Sequence, residues 1–369
     1  MIEQAGRAVL LRPLPFTQFC FIHRQSSNRQ RSESSFSLKS ISERAHVHKA
    51  AASLNDSVAA FPDFIPEQVN EIEEQAALSM ARAMQRCTLD VPSLGEPVET
   101  AYAEESSGSG APIVLLHGFD SSLLEFRRLL PLLKKENSNV YAVDLIGWGF
   151  SCCKIHEKPD LQLGPQQKTD HLYAFWKSKV QRPMVLVGVS LGSAIAVQFT
   201  LQHPEAVAGL VLSSPQVYVD GIGPMSSMPR VLSYLGVQVL KSVPLRNMAN
   251  KMAYYDKERL ATEDALRIGR LHTFLPGWTN SNIAFMRSGG YSVSKRIPEL
   301  QQEVLVLWGR NDEIVECKYA ENFARDLPHS RLKILENCGH CIHLEKPEEM
   351  ARCLTEFVSE IEVLGAHAQ

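Results

Sequence analysis

A serine between two glycines is the feature of this sequence that points most directly to chemistry. Gly188–Gly192 (GVSLG) follows an apolar run that ends at Val189, and a helical pattern then continues towards His203. A G-x-S-x-G string is a weak signal alone, but a strand–turn–helix context is the one in which such a serine becomes a nucleophile. The glycines leave room for the sharp turn, and the helix start places positive potential beside the hydroxyl. We therefore predict that Ser190 is a nucleophile.

A serine hydroxyl is a poor nucleophile at neutral pH and needs a base within hydrogen-bond reach. His340 ends the string Asn-Cys-Gly-His after the last predicted strand, where Gly339 allows the turn that presents the ring. His343 is the alternative, but we expect it in the next helix, packed or facing solvent. His340 is the favoured base.

The imidazole in turn needs an acid that holds its tautomer and orientation. Asp312 leaves the predicted strand Val304–Trp308 in the string Gly-Arg-Asn-Asp, which places it at the carboxyl end of the sheet. Glu313 is adjacent but should point elsewhere, and Asp220 is a weaker substitute. The chain order serine, aspartate, histidine is the one described for proteins whose nucleophile stands on a G-x-S-x-G strand-to-helix turn.

A fourth element is His117-Gly118-Phe119-Asp120, which follows the predicted strand Ile113–Leu116. A histidine–glycine pair after a strand is often only a turn. Because this pair precedes the serine motif, we expect the backbone N–H groups of Phe119 and Leu191 to converge on a developing oxyanion, as donors that stabilise acyl-transfer transition states do.

Short β-rich runs alternate with helical runs after Pro97, and this alternation is typical of a mostly parallel sheet covered by helices. From Pro66 to about Arg86 the pattern instead predicts a packing helix. The predicted strands lie near Val98–Ala103, Ile113–Leu116, Val140–Asp144, Met184–Val189, Leu210–Ser213, Val304–Trp308 and Leu332–Leu335.

The alternation lapses between about Pro215 and Ile297, where a helical, Met- and Tyr-rich segment indicates a cap over one edge of the sheet. One apolar stripe at helical spacing has the pattern of cap core, with a lid for an acyl chain or for membrane contact as the alternative. That stripe contains Val231, Leu232, Leu235, Val239, Leu240 and Val243. A second apolar set, with the same two interpretations, contains Phe274, Trp278, Phe285, Met286 and Tyr291. The candidate substrate-binding residues are His117, Trp278 and Phe285.

These motifs resemble the α/β-hydrolase superfamily, specifically its capped branch of epoxide hydrolases, esterases and C–C bond hydrolases. The matching strings are HGFD at His117–Asp120, DLIGWGFS at Asp144–Ser151, GVSLG, LWGRND at Leu307–Asp312 and GHCIHLEKP at Gly339–Pro347. The resemblance implies an α/β class protein with the α/β-hydrolase fold, in which a helical cap is inserted after the sixth strand. We expect a leader over residues 1–50, an extension over 51–96, core segments over 97–214 and 298–369, and the cap over 215–297.

The resemblance also narrows the chemistry. Epoxide hydrolases and haloalkane dehalogenases of this branch attack with an aspartate, so Ser190 disfavours those activities. Ester, thioester, amide or C–C hydrolysis through an acyl-enzyme remains, with no cofactor and with a lipophilic ester as our preference. Relatives have also recruited the triad as cyanohydrin lyases and as hormone receptors, so a slow-turnover ligand-binding protein is the alternative.

Composition excludes other classes of function. The formal net charge is −3, so no basic surplus points to nucleic acid. No Cys/His set has zinc-site spacing, and the eight cysteines are expected as free thiols. Cys338 and Cys341 flank His340, and a disulfide between them is a hypothesis for redox control.

Arginine and serine enrichment in residues 1–50 predicts a transit peptide for the chloroplast, with mitochondrion or cytoplasm as alternatives.

Overall fold

A computed structural model of the protein describes residues 60–106, 108, 110–136, 138–151, 162–327 and 330–367. The predicted leader, Cys20 and the Cys152-Cys153 pair fall outside these residues.

A single eight-stranded sheet forms the centre of the described molecule, in the order β1-β2-β4-β3-β5-β6-β7-β8. All neighbours from β4 to β8 in this order pair in parallel, and β2 pairs antiparallel with both β1 and β4. The strands are β1 Gln85–Val91, β2 Glu96–Glu105, β3 Ile113–Leu116, β4 Val140–Val143, β5 Met184–Val189, β6 Val207–Ser213, β7 Glu303–Gly309 and β8 Arg331–Leu335.

Helices connect the parallel strands and also fill the interval between β6 and β7, so the cap follows the sixth strand as the resemblance implied. The helices outside that interval are α1 Gln75–Ala83, α2 Leu130–Lys135, α3 Pro165–Phe175, α4 Leu191–Gln202, α10 Ala320–Asp326, α11 Ile342–Glu345 and α12 Pro347–His367. The cap helices are α5 Arg230–Lys241, α6 Val243–Ala253, α7 Lys257–Leu260, α8 Glu263–Leu271 and α9 Trp278–Arg287.

Two apolar clusters, one on each face of the sheet, form the core. Alternate residues of a strand belong to different clusters, as Val114 and Leu115 do, because successive side chains of a strand point to opposite faces. Helices α3, α4 and α10 contribute to one cluster, and α1, α2 and α12 contribute to the other. Burial on both faces explains the continuous apolar runs in β3 and β5.

The prediction of a helix from Pro66 to Arg86 was wrong at both ends. A 3-10 helix covers Glu67–Glu71, Ile72 is extended, and α1 ends at Ala83. Gln85–Val91 then pairs residue for residue with β2 as an antiparallel edge strand. Four of its seven residues are polar and only Leu89 and Val91 are buried, so the strand pattern is weak and pairing with β2 rather than local propensity determines the strand.

The interpretation of the α5 stripe as cap core was wrong for five of its six residues, whereas Leu240 is half-buried and packs against the cap cluster that contains Trp278. Val231, Leu232, Leu235 and Val239 are 48–72% exposed, and Val243 is 40% exposed. The buried side of α5 instead contains Ser233 and Val237, which packs against Trp278, Ile283 and Met286. Of the second predicted apolar set, Trp278, Phe285, Met286 and Tyr291 are buried, and Phe274 is 39% exposed.

None of the helices in the described ranges combines the length and apolar character needed to span a bilayer.

Candidate active site

The turn between β5 and α4 holds Ser190 in an unusual backbone conformation, with φ 53° and ψ −120°. A non-glycine residue with positive φ is strained and persists only where its surroundings determine it. Here the Ser190 N–H donates to the Ser213 carbonyl at 2.9 Å, which ties the turn to the neighbouring strand. The serine is therefore presented at the carboxyl edge of the parallel strands.

Both glycines beside this turn are required by close backbone contacts. A Cβ at Gly188 would lie 2.5 Å from the Gly192 carbonyl oxygen. A Cβ at Gly192 would lie 2.6 Å from the His117 carbonyl oxygen. Side chains in either place would push α4 away from the sheet, so the pattern read in the sequence has a steric cause.

His340 and Asp312 lie together on the loops that follow β8 and β7. The Nδ1 of His340 is 2.7 Å from Asp312 Oδ2. The other carboxylate oxygen accepts the N–H groups of Ile314 and Val315, each at 2.8 Å. Both oxygens of Asp312 are thus engaged, and the ring is oriented with Nε2 left to exchange a proton.

The electrostatics of this pair favour the protonated ring. Burial disfavours the imidazolium, but the charge and hydrogen bond of Asp312 outweigh burial and raise the pKa of His340 above its ordinary value. A base with such a pKa can accept a proton from a serine hydroxyl and stay charged while the oxyanion forms.

The alternatives to these two residues have other surroundings. His343 is fully buried, its ring centroid is 5.4 Å from that of Phe126, and burial lowers its pKa to about 3. Glu313 is exposed and accepts a hydrogen bond from Lys257. Asp220 accepts hydrogen bonds from the backbone and hydroxyl of Ser294.

The turn after β3 lies against the nucleophile. A Cβ built on Gly118 would be 3.4 Å from Ser190 Cβ, so the glycine allows this close approach. Leu191 is the first residue of α4, where a backbone N–H has no partner within the helix. The Phe119 and Leu191 amides thus belong to the two segments that adjoin the Ser190 side chain.

His117 has no nitrogen left for a substrate. Its ring is fully buried, with Nδ1 2.8 Å from the Gly118 carbonyl oxygen and Nε2 accepting from the Leu145 N–H at 3.4 Å. Burial lowers the pKa of His117 to about 3, so the ring is neutral. These contacts assign His117 to supporting the Gly118 turn rather than to binding substrate.

The other two substrate-binding candidates, Trp278 and Phe285, are buried behind Phe119. The Phe285 ring centroid is 5.8 Å from that of Phe119 and 4.8 Å from that of Trp148. Trp278 is 5% exposed, and its Nε1 donates to Asp120 at 2.7 Å. Of this aromatic group, the half-buried Phe119 is therefore the side chain that lies nearest to the serine turn.

Asp120 is a structural centre that the sequence reasoning missed, although it stands in the HGFD string. Its carboxylate is buried and accepts hydrogen bonds from four cap side chains. These are Arg246, His272 at 3.3 Å, Trp278 at 2.7 Å and Asn282 at 3.2 Å. Burial opposes its ionisation, but the Arg246 charge and these donors hold the pKa of Asp120 below its ordinary value.

The histidine loop is also attached to the cap. The His340 N–H donates to the Ala253 carbonyl at 2.8 Å. The buried Glu345 carboxylate accepts from the Gly339 N–H and from the Tyr255 N–H, the latter at 2.6 Å. The cap thus contacts both the turn after β3 and the loop that carries His340.

The two cysteines beside His340 are free thiols, and burial raises the pKa of both. A raised pKa keeps a thiol protonated and slows disulfide exchange. Within the described residues, no three His, Cys, Asp or Glu side chains are grouped closely enough to hold a metal ion.

The amino-acid sequence of this chain is similar to those of known α/β-hydrolases. A family model described as serine aminopeptidase, S33, matches residues 109–347. The alpha/beta hydrolase domain-containing protein VTE7 of Arabidopsis thaliana is 34% identical over 310 residues, which cover 81% of this chain and 91% of that protein. Monoacylglycerol lipase ABHD6 of Bos taurus is 22% identical over 69% of this chain and 77% of its own length.

Solved structures give the same fold. A thermophilic esterase from Thermogutta terrifontis superposes with a TM-score of 0.64 at 20% identity, over 75% of this chain and 99% of that one.

Proposed function

The chain belongs to the serine aminopeptidase S33 family of α/β-hydrolases, and we propose that it hydrolyses a lipophilic ester through an acyl-enzyme on Ser190. One observation carries the proposal. A strained serine adjoins the Gly118 turn at the same sheet edge that bears the His340–Asp312 pair. Hydrolase activity follows from the family, and the ester substrate and triad are our inference.

In the proposed mechanism, His340 Nε2 takes the Ser190 proton as the hydroxyl oxygen attacks the ester carbonyl. Asp312 stabilises the imidazolium through Nδ1. The oxyanion accepts hydrogen bonds from the Phe119 and Leu191 amides, each donor contributing about 3 kcal/mol in the transition state. The imidazolium then protonates the departing alkoxide, which leaves as the alcohol.

Water completes the cycle. His340 removes a proton from the water as its oxygen attacks the acyl carbonyl, and the Ser190 oxygen is reprotonated as the acid leaves. These steps require only groups of the chain and water, so the proposal includes no cofactor.

The proposed lipophilic character of the substrate is supported by the side chains behind the oxyanion turn. Phe119 is half-buried and packs on Phe285 and Trp148, so a substrate that reaches the Phe119 amide also meets an aromatic surface. An acyl chain is the simplest apolar group that could lie there.

Fluorophosphonate labelling of the protein, beside p-nitrophenyl esters of rising chain length, tests this function. We expect labelling of Ser190, turnover that increases from acetate to longer acyl chains, and loss of both in Ser190→Ala. Labelling without turnover would support the ligand-binding alternative. No labelling of a folded protein would contradict the proposed nucleophile.

We also propose a chloroplast location, supported by the arginine- and serine-rich residues 1–50 and by the similarity to a plant protein. Residues 1–60 fused to a fluorescent protein should direct it into chloroplasts of plant cells. Fluorescence that stays in the cytoplasm or enters mitochondria would contradict this location.

A further inference from the structure

The outer face of α5 is the most apolar exposed surface among the described helices of the cap. We define the outer face as Val231, Leu232, Tyr234, Leu235 and Val239, which are 48–72% exposed. The opposite side of the same helix is covered, since Val237 is fully buried against Trp278. The apolar face of a helix is normally buried against neighbouring elements, so the exposed apolar face of α5 lacks the environment that its sequence suits.

The charged residues of the segment that contains α5 and α6 are all basic. Residues 221–255 contain Arg230, Lys241, Arg246 and Lys251 and no aspartate or glutamate, although the whole chain has a net charge of −3. Arg246 is neutralised by Asp120, and Lys241 and Lys251 add further positive charge along α5 and α6. Beside the C-terminal end of α5, the half-exposed Phe274 lies 5.1 Å from Lys241 Nζ and 5.5 Å from the Arg270 guanidinium.

We propose that the outer face of α5 binds the surface of a bilayer that contains anionic lipids. Exposed aliphatic side chains with basic residues at their border are the features by which interfacial helices insert between headgroups. The aliphatic groups would enter the boundary of the acyl chains, and the lysine and arginine side chains would pair with lipid phosphates.

Other occupants fit less well. A second copy of this chain would bring the same patch against itself in a two-fold dimer, so basic residues would face basic residues. The residues that contribute most to protein–protein binding are usually tryptophan, tyrosine and arginine, and valine and leucine are under-represented among them. The outer face of α5 consists mostly of valine and leucine, so it fits a protein partner less well.

The C-terminal helix provides a matched comparison. Val363 and Leu364 on α12 are 57% and 51% exposed, similar to Leu235 and Leu232, but they adjoin Glu360 and Glu362. This second apolar pair has acidic neighbours, so an anionic bilayer should not attract it.

Sedimentation with lipid vesicles tests the proposal on the full chain. All variants carry Ser190→Ala, so that binding is measured without hydrolysis and the result does not depend on the proposed function. We expect binding to phosphatidylcholine vesicles that contain about 30 mol % phosphatidylglycerol, and a fall of about tenfold or more in the partition coefficient for Leu232→Gln/Leu235→Gln. Val363→Gln/Leu364→Gln should bind as the parent does.

The charge requirement has its own variants. Lys251→Gln and Lys241→Gln should each weaken binding to the anionic vesicles about fivefold, which corresponds to about 1 kcal/mol per basic residue near a charged surface. Raising the salt concentration should weaken binding of the parent as well.

Three results would overturn the proposal. The first is equal vesicle binding by the parent and Leu232→Gln/Leu235→Gln. Both proteins contain the basic residues of positions 1–50, so equal binding would assign it to a part of the chain other than the outer face of α5. The second is equal binding of the parent to vesicles with and without phosphatidylglycerol. The third is a dimeric parent and a monomeric Leu232→Gln/Leu235→Gln in analytical ultracentrifugation without lipid, which would assign the face to self-association.

Discussion

The serine turn is held by one part of the molecule, and the turn after β3 and the loop that carries His340 are held by another. Ser190 is fixed by the sheet, through the Ser213 carbonyl and through glycines that allow contact with neighbouring backbone. The oxyanion turn is attached to the cap through Asp120, and the histidine loop is attached to the cap through Ala253 and Glu345.

This difference separates two requirements of the proposed reaction. The position of the nucleophile depends on the core, which is formed by buried parallel strands and is the most cooperative part of such a domain. The position of the base depends also on backbone groups of the cap, and the position of one oxyanion donor depends on cap side chains. A change in the cap can therefore alter catalysis without any contact with Ser190, and the following substitutions test that separation.

The largest effect should come from Asp312→Asn, which keeps the shape of the side chain and removes the charge that orients His340. We expect kcat to fall about 10⁴-fold, because the ring loses the tautomer and orientation that the reaction needs. Glu313→Gln is the control, since Glu313 is adjacent but exposed and pairs with Lys257. Similar losses in both variants would contradict the role of Asp312.

Asp120→Asn should have the next largest effect and tests the cap attachment directly. It leaves the Arg246 guanidinium without its buried counter-ion, so the free energy of unfolding should fall by about 3 kcal/mol. If the turn then shifts, kcat for a soluble ester should fall about 100-fold, as when an oxyanion donor is lost. Thermal unfolding and the separate effects on kcat and KM measure the two consequences.

Asp220→Asn is the control for that experiment, because Asp220 is exposed and its carboxylate accepts from the backbone and hydroxyl of Ser294. It should change the free energy of unfolding by less than about 0.5 kcal/mol. An Asp120→Asn protein that is less stable but keeps its kcat would show that Asp120 fixes the cap without positioning the oxyanion turn.

The pH dependence should reflect the raised pKa of His340. The reaction needs the neutral ring, so kcat/KM should fall as the pH drops through this pKa, about tenfold per pH unit. Because the pKa is raised, the loss should begin above the value of about 6.5 that is ordinary for histidine. A kcat/KM profile in which the acid limb lies below that value would contradict the pairing with Asp312.

The smallest effects should distinguish the two sides of α5. Val237→Ala removes buried methyl groups beside Trp278 and should lower the free energy of unfolding by about 1–3 kcal/mol. Leu235→Ala on the outer face should change it by less than about 0.5 kcal/mol, since the side chain is already 55% exposed. Chemical denaturation measures both, and equal losses would mean that the outer face is covered in solution.

The sequence alone was enough to predict the fold and the strands that carry the proposed triad. Ser190 illustrates why, because its turn is specified by glycines within two positions and by an apolar strand directly before it. Asp312 and His340 follow strands in the same way, and parallel strands bring their carboxyl ends to one edge. The α/β-hydrolase fold and its cap after the sixth strand were confirmed.

Only the tertiary structure decided which faces and partners the remaining residues have. The donors to Asp120 lie 126 to 162 positions away, so no local pattern could indicate them. Hydrophobic periodicity showed that α5 has an apolar stripe, but periodicity does not determine which side of a helix the neighbouring elements cover. The packing of Val237 inward left Leu235 and its neighbours exposed, because a side chain is buried by the elements that contact it and not by its own sequence.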